Sequence, residues 1–463
     1  MTDVTSDYPG TPGDLLVRGG RLGPDGPPAD VRVRGGRIVE LGEGLAPAGE
    51  PALDAGGLWV LPGAIDNHVH FRDPGLTRKE DYGSGSRGAL RGGVTTVLEV
   101  QNNDPLLLDA SRCRAKVAEV SSRSLVNFGI YPNLLEQTLG TLPEMAPWAS
   151  AYKLFMGAST GMGGSSDYGL MREEFRAAAA TGRLVVLHCE EESILARTSR
   201  QPDLDVTEHG SRARPPVTEA LSVAAAIEMA REWGTRIHVF HLSTARGLQL
   251  IEHARADGVD VSCSTCFQYL WFTEDDFATL GNLIKCNPAI HTAADRDALL
   301  DGIARGAVEV VSTDHAPHTL EEKQRPYLQA PSGIPSVDLF YPLLLTLVAE
   351  GRLPMDRALD AVTGAPARVH GLADRGRVEA GAWGDLALVD PDRVKAVELG
   401  DLSSRSPFTP FLGRELRGWP VATVVQGRVA WDARREPAFD DAVRGAFVAS
   451  EAPVAPGSGD RRE

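Results

Sequence analysis

Eight short runs of apolar and β-branched residues in the middle of the chain predict β-strands. They cover residues 65–71, 94–100, 126–131, 151–156, 184–189, 236–242, 259–264 and 308–314. Between most of them the apolar spacing is helical, which predicts helices at 77–90, 170–181, 216–232, 244–257 and 295–305, the first opened by a capping box at residues 77–80. Eight strands that alternate with helices predict an α/β fold, a (β/α)8 TIM-type barrel with its chemistry at the carboxyl ends of the strands. A doubly wound sheet is the weaker alternative, because no glycine-rich phosphate loop follows any strand.

The two flanks of this region have another pattern. Residues 14–60 and 383–431 contain short alternating strands with Gly turns, and neither segment is long enough for a good core of its own. We therefore expect residues 1–61 and 372–440 to form one small composite β-sandwich beside a barrel of residues 62–371. Residues 441–463, which end in the Pro/Gly-rich stretch SEAPVAPGSGDRRE, are expected to be a disordered tail.

Composition narrows the class of protein. The chain has 463 residues, 42% hydrophobic and 24% charged, which is typical of an enzyme with a large core. A net charge of -16 without a Lys/Arg run argues against nucleic-acid and anionic-membrane partners, so we expect a small-molecule substrate. The start MTDVTSDYPG lacks a signal-peptide pattern and no apolar stretch reaches about 20 residues, which predicts a cytoplasmic protein. Cys263 and Cys266 form a CxxC without a second pair, so we expect core or loop thiols and no zinc site there.

Candidate chemistry begins with IDNHVHFRDPG at residues 65–75. The side-chain period of a strand is two, so His68 and His70 project from one face and can offer two imidazoles to one metal ion. A lone HxH pair is more often one buried and one exposed histidine, so further ligands are needed. The ends of other predicted strands supply them: His188, His241 and Asp314. His238 lies on the opposite face from His241 and is expected to be structural.

Lys153 stands in the otherwise apolar fourth strand. A buried, unpaired ammonium is costly and usually loses its proton or finds a partner. A neutral amine can react with carbon dioxide to give a carbamate, an anionic ligand able to bridge two cations about 3.5–4 Å apart. Alternatively, the side chain snorkels to the barrel rim and pairs with an acid. Both interpretations are open at this point.

Taken together, these residues resemble the amidohydrolase superfamily, and within its cyclic-amidase branch the dihydroorotases. The resemblance covers roughly residues 14–432 and rests on HVHFRDPG (68–75), KED (79–81), GGVTT (92–96), YKLFMGASTGM (152–162), HCEE (188–191), HLSTA (241–245), NPAI (287–290) and TDHAPH (313–318). It implies a zinc-dependent hydrolase that interconverts N-carbamoyl-L-aspartate and (S)-dihydroorotate in pyrimidine biosynthesis.

The resemblance also implies a role for each candidate residue. His68, His70 and Asp314 would hold one Zn²⁺, His188 and His241 a second, and carbamylated Lys153 would bridge the two ions. Asp314 would carry the proton to the departing ring nitrogen. The substrate would be held by Arg72, Asn102 and His318 at its free carboxylate and by Asn287 at its ring.

A guanidinium at the barrel mouth can make a charge-assisted, bidentate contact with a carboxylate, which agrees with the role implied for Arg72. The alternative is a salt bridge from Arg72 to Asp73. Asp73, Pro74 and Gly75 are typical of a turn, so we expect Asp73 to be structural.

The chain departs from the family pattern at one segment. Where the family commonly has Met-Pro-Asn-Thr before a proline, this chain has Val100-Gln101-Asn102-Asn103 followed by Asp104-Pro105. Asn102 keeps its register, but a reshaped loop would suit a related ring. A hydantoinase- or allantoinase-like cyclic amidase is therefore one alternative, and an inactive barrel that serves as structural partner of a transcarbamoylase is another. The sequence leaves open a homo-oligomer and a transcarbamoylase association.

Overall fold

The computed structural model describes residues 4–451. Their strands are β1 (Leu15–Leu22), β2 (Pro28–Arg34), β3 (Arg37–Gly42), β4 (Ala52–Asp54), β5 (Trp59–Pro62), β6 (Ala64–Val69), β7 (Val94–Val100), β8 (Asn127–Tyr131), β9 (Tyr152–Phe155), β10 (Val185–His188), β11 (Ile237–Val239), β12 (Val261–Cys266), β13 (Val310–Ser312), β14 (Leu386–Ala396), β15 (Glu415–Val425) and β16 (Arg428–Asp432).

The α-helices of the same residues are α1 (Tyr82–Arg91), α2 (Ala110–Ser121), α3 (Leu142–Met145), α4 (Tyr168–Thr181), α5 (Glu192–Thr198), α6 (Pro216–Trp233), α7 (Ala245–Ala256), α8 (Phe267–Trp271), α9 (Phe277–Leu280), α10 (Ala293–Arg305), α11 (Leu320–Lys323), α12 (Phe340–Ala349), α13 (Met355–Val362) and α14 (Gly364–His370). None of them is both long enough and apolar enough to cross a membrane.

Strands β6 to β13 form the predicted eight-stranded parallel barrel. β6, β7 and β8 pair in one sheet and β9 to β13 in a second. Single parallel bridges join the two sheets, one between Asn133 and Lys153 and one between Val69 and His315, so the ring closes. The strands are buried on both faces, because helices cover the outside and side chains fill the inside.

Helix α1 begins later than the sequence predicts. Its N-cap is Asp81, whose carboxylate accepts a hydrogen bond from the Ser84 backbone N–H at 2.9 Å, so the predicted capping box at residues 77–80 is wrong. Glu80 does not cap the helix because its buried side chain faces His315, with 3.4 Å between Oε2 and Nε2. The other predicted helices agree with α4, α6, α7 and α10 to within two residues at each end.

The N- and C-terminal segments join into one β unit, as predicted. It is a single mixed sheet of eight strands in the order β16-β15-β14-β5-β1-β2-β3, with β4 paired to β1. Residues of both halves share an apolar core, which includes Val17, Val31, Leu388 and Val424. β5 leads directly into β6, so this unit is anchored at the strand that carries the HxH pair.

The segment that follows β16 packs on the barrel. Phe447 is 2% exposed, and its backbone forms an isolated parallel β-bridge with Phe128 of β8. Its ring lies near the rings of Tyr8 and Trp148. The predicted tail therefore starts too early at residue 441, because residues 443–450 contribute apolar side chains to the barrel surface. The remainder of the predicted tail, residues 452–463, lies outside the described residues.

Candidate active site

One cavity at the carboxyl ends of the barrel strands collects the predicted site residues. Nine of the ten line it: His68, His70, Arg72, Asn102, Lys153, His188, His241, Asn287 and Asp314. The tenth, His318, lies behind Arg72, with 3.4 Å between its Nε2 and the Arg72 Nη2. Because parallel strands end at the same rim of a barrel, residues far apart in sequence meet there.

His68, His70 and Asp314 form a cluster of potential metal ligands. Asp314 Oδ1 lies 3.3 Å from His68 Nε2 and 3.1 Å from His70 Nε2, and one ligand atom from each residue lies within 4.8 Å of the others. All three side chains are buried. Burial is the main cause that lowers the pKa of both imidazoles, which keeps them neutral and able to bind a cation.

His188 and His241 form a second group beside the first. His188 Nδ1 lies 3.0 Å from His241 Nε2, while His188 Nε2 lies 2.9 Å from Glu190 Oε2. The Glu190 carboxylate also forms a buried, two-atom ion pair with Arg214. Burial would raise the pKa of Glu190, but Arg214 and His188 outweigh it and hold that pKa at about 2. The carboxylate therefore accepts a hydrogen bond from the N–H at His188 Nε2. The lone pair of Nδ1 is then available to bind a metal.

Lys153 reaches the cavity without a partner for its amine. Its side chain is 1% exposed, Nζ has no hydrogen bond within residues 4–451, and the rings of Phe155 and Phe240 lie 4.5 and 4.8 Å from Nζ. Burial lowers the pKa of Lys153 to about 7. The alternative of a lysine that snorkels to the rim and pairs with an acid is wrong, because the side chain is enclosed and forms no ion pair in this part of the chain.

Backbone strain is concentrated at the cavity. Of the five non-glycine residues with positive φ in the described chain, three line it: Arg72 at 60°, His241 at 41° and Asp314 at 48°. Such conformations cost of order 1–3 kcal/mol each and persist where the surroundings impose them. Here they turn each side chain away from its strand and into the cavity.

Arg72 is a buried cation that has no acidic partner within hydrogen-bonding distance among residues 4–451. Its guanidinium is 2% exposed and donates to Asn102 Oδ1 at 3.2 Å and to the Pro317 carbonyl at 3.4 Å. Burial lowers the pKa of Arg72 to about 10. The predicted alternative of a salt bridge to Asp73 is wrong, because Asp73 pairs with Arg123 at 3.1 Å instead. Asp73 also accepts from the Tyr82 N–H, so it is structural, as expected.

In the segment that departs from the family pattern, the side chains of residues 101–103 point to two sides of the loop. Asn102 faces the cavity, where its Oδ1 contacts His70 Nδ1 at 2.9 Å and its Nδ2 donates to the Thr160 carbonyl. Gln101 and Asn103 point away from the cavity, and both donate to the buried carboxylate of Glu99. Gln101 and Asn103 therefore hold the loop through Glu99, on the side away from the cavity. Asn102 keeps its position at the site.

Other predictions have clear outcomes. His238 is structural, as expected: its Nδ1 lies 2.7 Å from Ser262 Oγ, outside the cavity lining. Cys263 and Cys266 are buried and free. Asn287 lines the cavity, and its Oδ1 has no hydrogen-bond partner among residues 4–451.

Sequence reasoning missed several residues of the site. Glu190 belongs to the HCEE motif and Thr160 to YKLFMGASTGM, so both stood inside quoted motifs without an assigned role. Ser332 was not missed, because SGIPSVD at residues 332–338 resembles a substrate-contacting segment of the family; it lines the cavity, and its carbonyl accepts from Thr160 Oγ1 at 3.0 Å. Arg214 carries no sequence signal, because it lies 24 residues beyond Glu190 and only the fold brings the two together.

The donor set fits divalent metal ions of the zinc type. Neutral imidazoles and a carboxylate are ligands that Zn²⁺ prefers, and His68, His70 and Asp314 lie close enough to share one ion. The unpartnered amine of Lys153 lies in the same cavity as His188 and His241. The cavity therefore suits hydrolysis assisted by a metal.

Comparison with known proteins gives one consistent result. The model of the amidohydrolase family matches residues 59–430. A dihydroorotase from Geobacter sp. is 35% identical over 433 residues, 91% of this chain and all of that protein. An allantoinase from Rubrobacter xylanophilus is also 35% identical, over 91% of this chain and 95% of that protein. The structure of an L-hydantoinase (dihydropyrimidinase) from Arthrobacter aurescens superposes with a TM-score of 0.86 at 27% identity, covering 95% of this chain and 98% of that one.

Proposed function

Since the chain belongs to the amidohydrolase family, we propose that it is a dihydroorotase, which interconverts N-carbamoyl-L-aspartate and (S)-dihydroorotate. It is a cyclic amidohydrolase of the group that contains dihydroorotases, hydantoinases and allantoinases, with a His-His-Asp metal site. Dihydroorotate carries a free carboxylate, which hydantoin and dihydrouracil lack. The choice of substrate therefore depends on whether the cavity recognises that group.

The observation that carries the proposal is the unpaired charge of Arg72. A buried guanidinium without a carboxylate partner is costly, and an anionic ligand that enters the cavity removes this cost. Arg72 lies in the cavity lining beside Asn102, within reach of a ligand held at the metal site. An uncharged ring would leave the guanidinium unpaired, so the site favours a substrate with a carboxylate.

The proposed cofactor is a pair of Zn²⁺ ions. His68, His70 and Asp314 would hold one ion and His188 and His241 the other, with Lys153 as a carbamate between them. Such ions lower the pKa of a water molecule and polarise an amide carbonyl. The low pKa of Lys153 supports the carbamate, because only the neutral amine reacts with carbon dioxide.

The chain's own groups then act on the ring. Asp314 would accept a proton from the attacking water and deliver it to the departing ring nitrogen. Arg72 and Asn102 orient the ring through its carboxylate, and Asn287 offers its free amide oxygen to a ring N–H. Phe155 and Phe240 exclude water from the amine of Lys153.

The second candidate is an allantoinase-like or hydantoinase-like cyclic amidase, supported by the allantoinase relative at 35% identity. The test is a turnover screen of the purified chain with dihydroorotate, hydantoin, dihydrouracil and allantoin, together with metal analysis of the same sample. Preference for dihydroorotate with about two zinc ions per chain supports the proposal. Preference for allantoin or an uncharged ring overturns it, and bound metal without any turnover would support the inactive barrel instead.

A further inference from the structure

We infer that Lys79 is a positioning residue that keeps the proton of His318 on Nε2, on the side of the ring that faces Arg72. This inference rests on the proposed function, because it concerns the subsite that would take the substrate carboxylate. Lys79 belongs to the KED motif at residues 79–81 and lies outside the metal-ligand set.

His318 is buried between two sets of partners. Its Nδ1 lies 3.0 Å from Lys79 Nζ, and its Nε2 lies 3.1 Å from the Ser332 carbonyl and 3.4 Å from Arg72 Nη2. Burial and the nearby cations, Arg72 first, keep the pKa of His318 well below its usual value, so the ring is neutral and carries one N–H.

The position of that proton follows from the chemistry of Lys79. An ammonium has three donors and no acceptor, so Nδ1 of His318 must accept from it and the proton must lie on Nε2. Nε2 then donates toward the Ser332 carbonyl beside the Arg72 guanidinium. A carboxylate at this place would meet the donors of the Arg72 guanidinium and the Nε2 proton, which it would share with the Ser332 carbonyl.

Without Lys79, the His318 ring would carry its proton on Nδ1 instead of Nε2. Glu322 Oε2 lies 3.5 Å from His318 Nδ1, and a carboxylate is only an acceptor. It would compete for the ring proton with the Ser332 carbonyl, which lies 3.1 Å from Nε2. Because a charged acceptor forms the stronger hydrogen bond, it would draw the proton to Nδ1 and leave the lone pair of Nε2 facing the substrate carboxylate. Lys79 prevents this because its Nζ lies 3.2 Å from Glu322 Oε2 as well as against Nδ1, so it stands between the acid and the imidazole.

The neighbouring Arg78 provides a matched control. Its Nη2 pairs with Glu322 Oε1 at 3.1 Å, but its side chain is 61% exposed and its one ion pair with Glu322 does not involve His318. Arg78→Met therefore removes a cation from the same carboxylate without changing the contact that sets the tautomer. Lys79→Met removes both a cation beside Glu322 and the contact with His318 Nδ1.

The first test is nitrogen-15 NMR of histidine-labelled full-length protein, with the His318 signal assigned from His318→Asn. The wild-type ring should be protonated on Nε2, Lys79→Met should move the proton to Nδ1, and Lys79→Arg and Arg78→Met should resemble the wild type. A Lys79→Met ring that keeps its Nε2 proton overturns the inference. If Lys79→Met does not fold, Lys79→Gln is measured under the same criterion.

The second test is steady-state kinetics with dihydroorotate. Lys79→Met should raise KM by about tenfold or more with kcat changed little, because a donor to the bound carboxylate is lost while the reacting centre is untouched. Lys79→Arg should restore much of the affinity, and Arg78→Met should leave KM within about twofold. Equal effects of Lys79→Met and Arg78→Met would overturn the role. If the wild type does not turn over dihydroorotate, the proposed function fails, while the NMR measurement still decides the tautomer.

Discussion

The Nε2 atom of His188 lies 2.9 Å from the Oε2 atom of Glu190, whose carboxylate is held in turn by Arg214. This arrangement fixes which ring nitrogen of His188 carries the proton and which one faces His241. A carboxylate behind a metal-binding histidine orients the ring and raises its basicity. Under the proposed function, Glu190 is therefore a positioning residue for the second metal ion.

We expect Glu190→Gln to lower zinc affinity by about 10- to 100-fold, because an amide holds the His188 tautomer less firmly than a carboxylate. The measurement is zinc retained by the purified protein in competition with a chelator. Glu228→Gln is the control, since that side chain is 71% exposed and lies on a surface helix. Unchanged zinc affinity in Glu190→Gln would contradict the positioning role.

Lys153→Ala should lose both bound metal and turnover, and short carboxylic acids such as acetate or propionate should restore part of both. The reason is that an added carboxylate can occupy the place of a carbamate between two cations. Metal content and turnover are measured with and without the acid, and the wild type with the same acid is the control. Fully active protein with two metal ions and the mass of an unmodified Lys153 would exclude the bridging role.

Asp314→Asn should keep much of its metal but lose about 10² to 10⁴ in kcat, because an amide oxygen can bind a cation but cannot carry a proton at neutral pH. Metal analysis and kinetics on the same preparation separate the two effects. A loss of less than about tenfold with metal retained would argue against Asp314 as the proton carrier.

Arg72→Gln should reduce kcat/KM for dihydroorotate by on the order of 10²-fold, while dihydrouracil is little affected. Loss of the guanidinium leaves the carboxylate of dihydroorotate unpaired. The contacts of an uncharged ring do not change. Arg123→Gln is the matched control, because Arg123 is the cation that pairs with Asp73 and braces the same loop. Equal losses for both substrates in Arg72→Gln would remove the main reason to prefer a dihydroorotase.

Phe447→Ala should lower the free energy of unfolding by about 3–5 kcal/mol, since the ring is buried among Tyr8, Phe128 and Trp148. Urea unfolding followed by tryptophan fluorescence measures the change. Phe439→Ala, at a half-buried ring outside this cluster, should cost less. A change below about 1 kcal/mol for Phe447→Ala would mean that residues 443–450 contribute little to the barrel.

The barrel and the polar residues that meet at its rim could be predicted because both depend on short-range periodicity, whereas the roles of those residues as ligands were implied by the family resemblance. Eight apolar strand runs separated by helices specify parallel strands, and parallel strands place His68, His188, His241 and Asp314 at one rim wherever each strand ends. Lys153 was recognisable because an ionisable residue in an apolar strand conflicts with its surroundings. These inferences need no distance between residues that are remote in sequence.

The partners of the site residues could not be predicted, because they depend on contacts between remote segments. No spacing rule joins Glu190 to Arg214, Arg72 to the Pro317 carbonyl, or Lys79 to His318. Asp73 illustrates the difficulty. It is adjacent to Arg72 in sequence, yet in the folded chain it forms an ion pair with Arg123. The predicted tail started too early for the same reason, since the burial of Phe447 depends on Phe128 of a distant strand.

The sequence by itself thus determined the order of the barrel strands, the kind of side chains at their ends and the end of the barrel at which they meet. The tertiary structure alone decided which histidine nitrogen is free, which cation lacks an acid and which acid braces a ligand. The physical reason is that side-chain type and period are local properties, whereas protonation, pairing and burial are set by every group within a few ångströms in the folded chain.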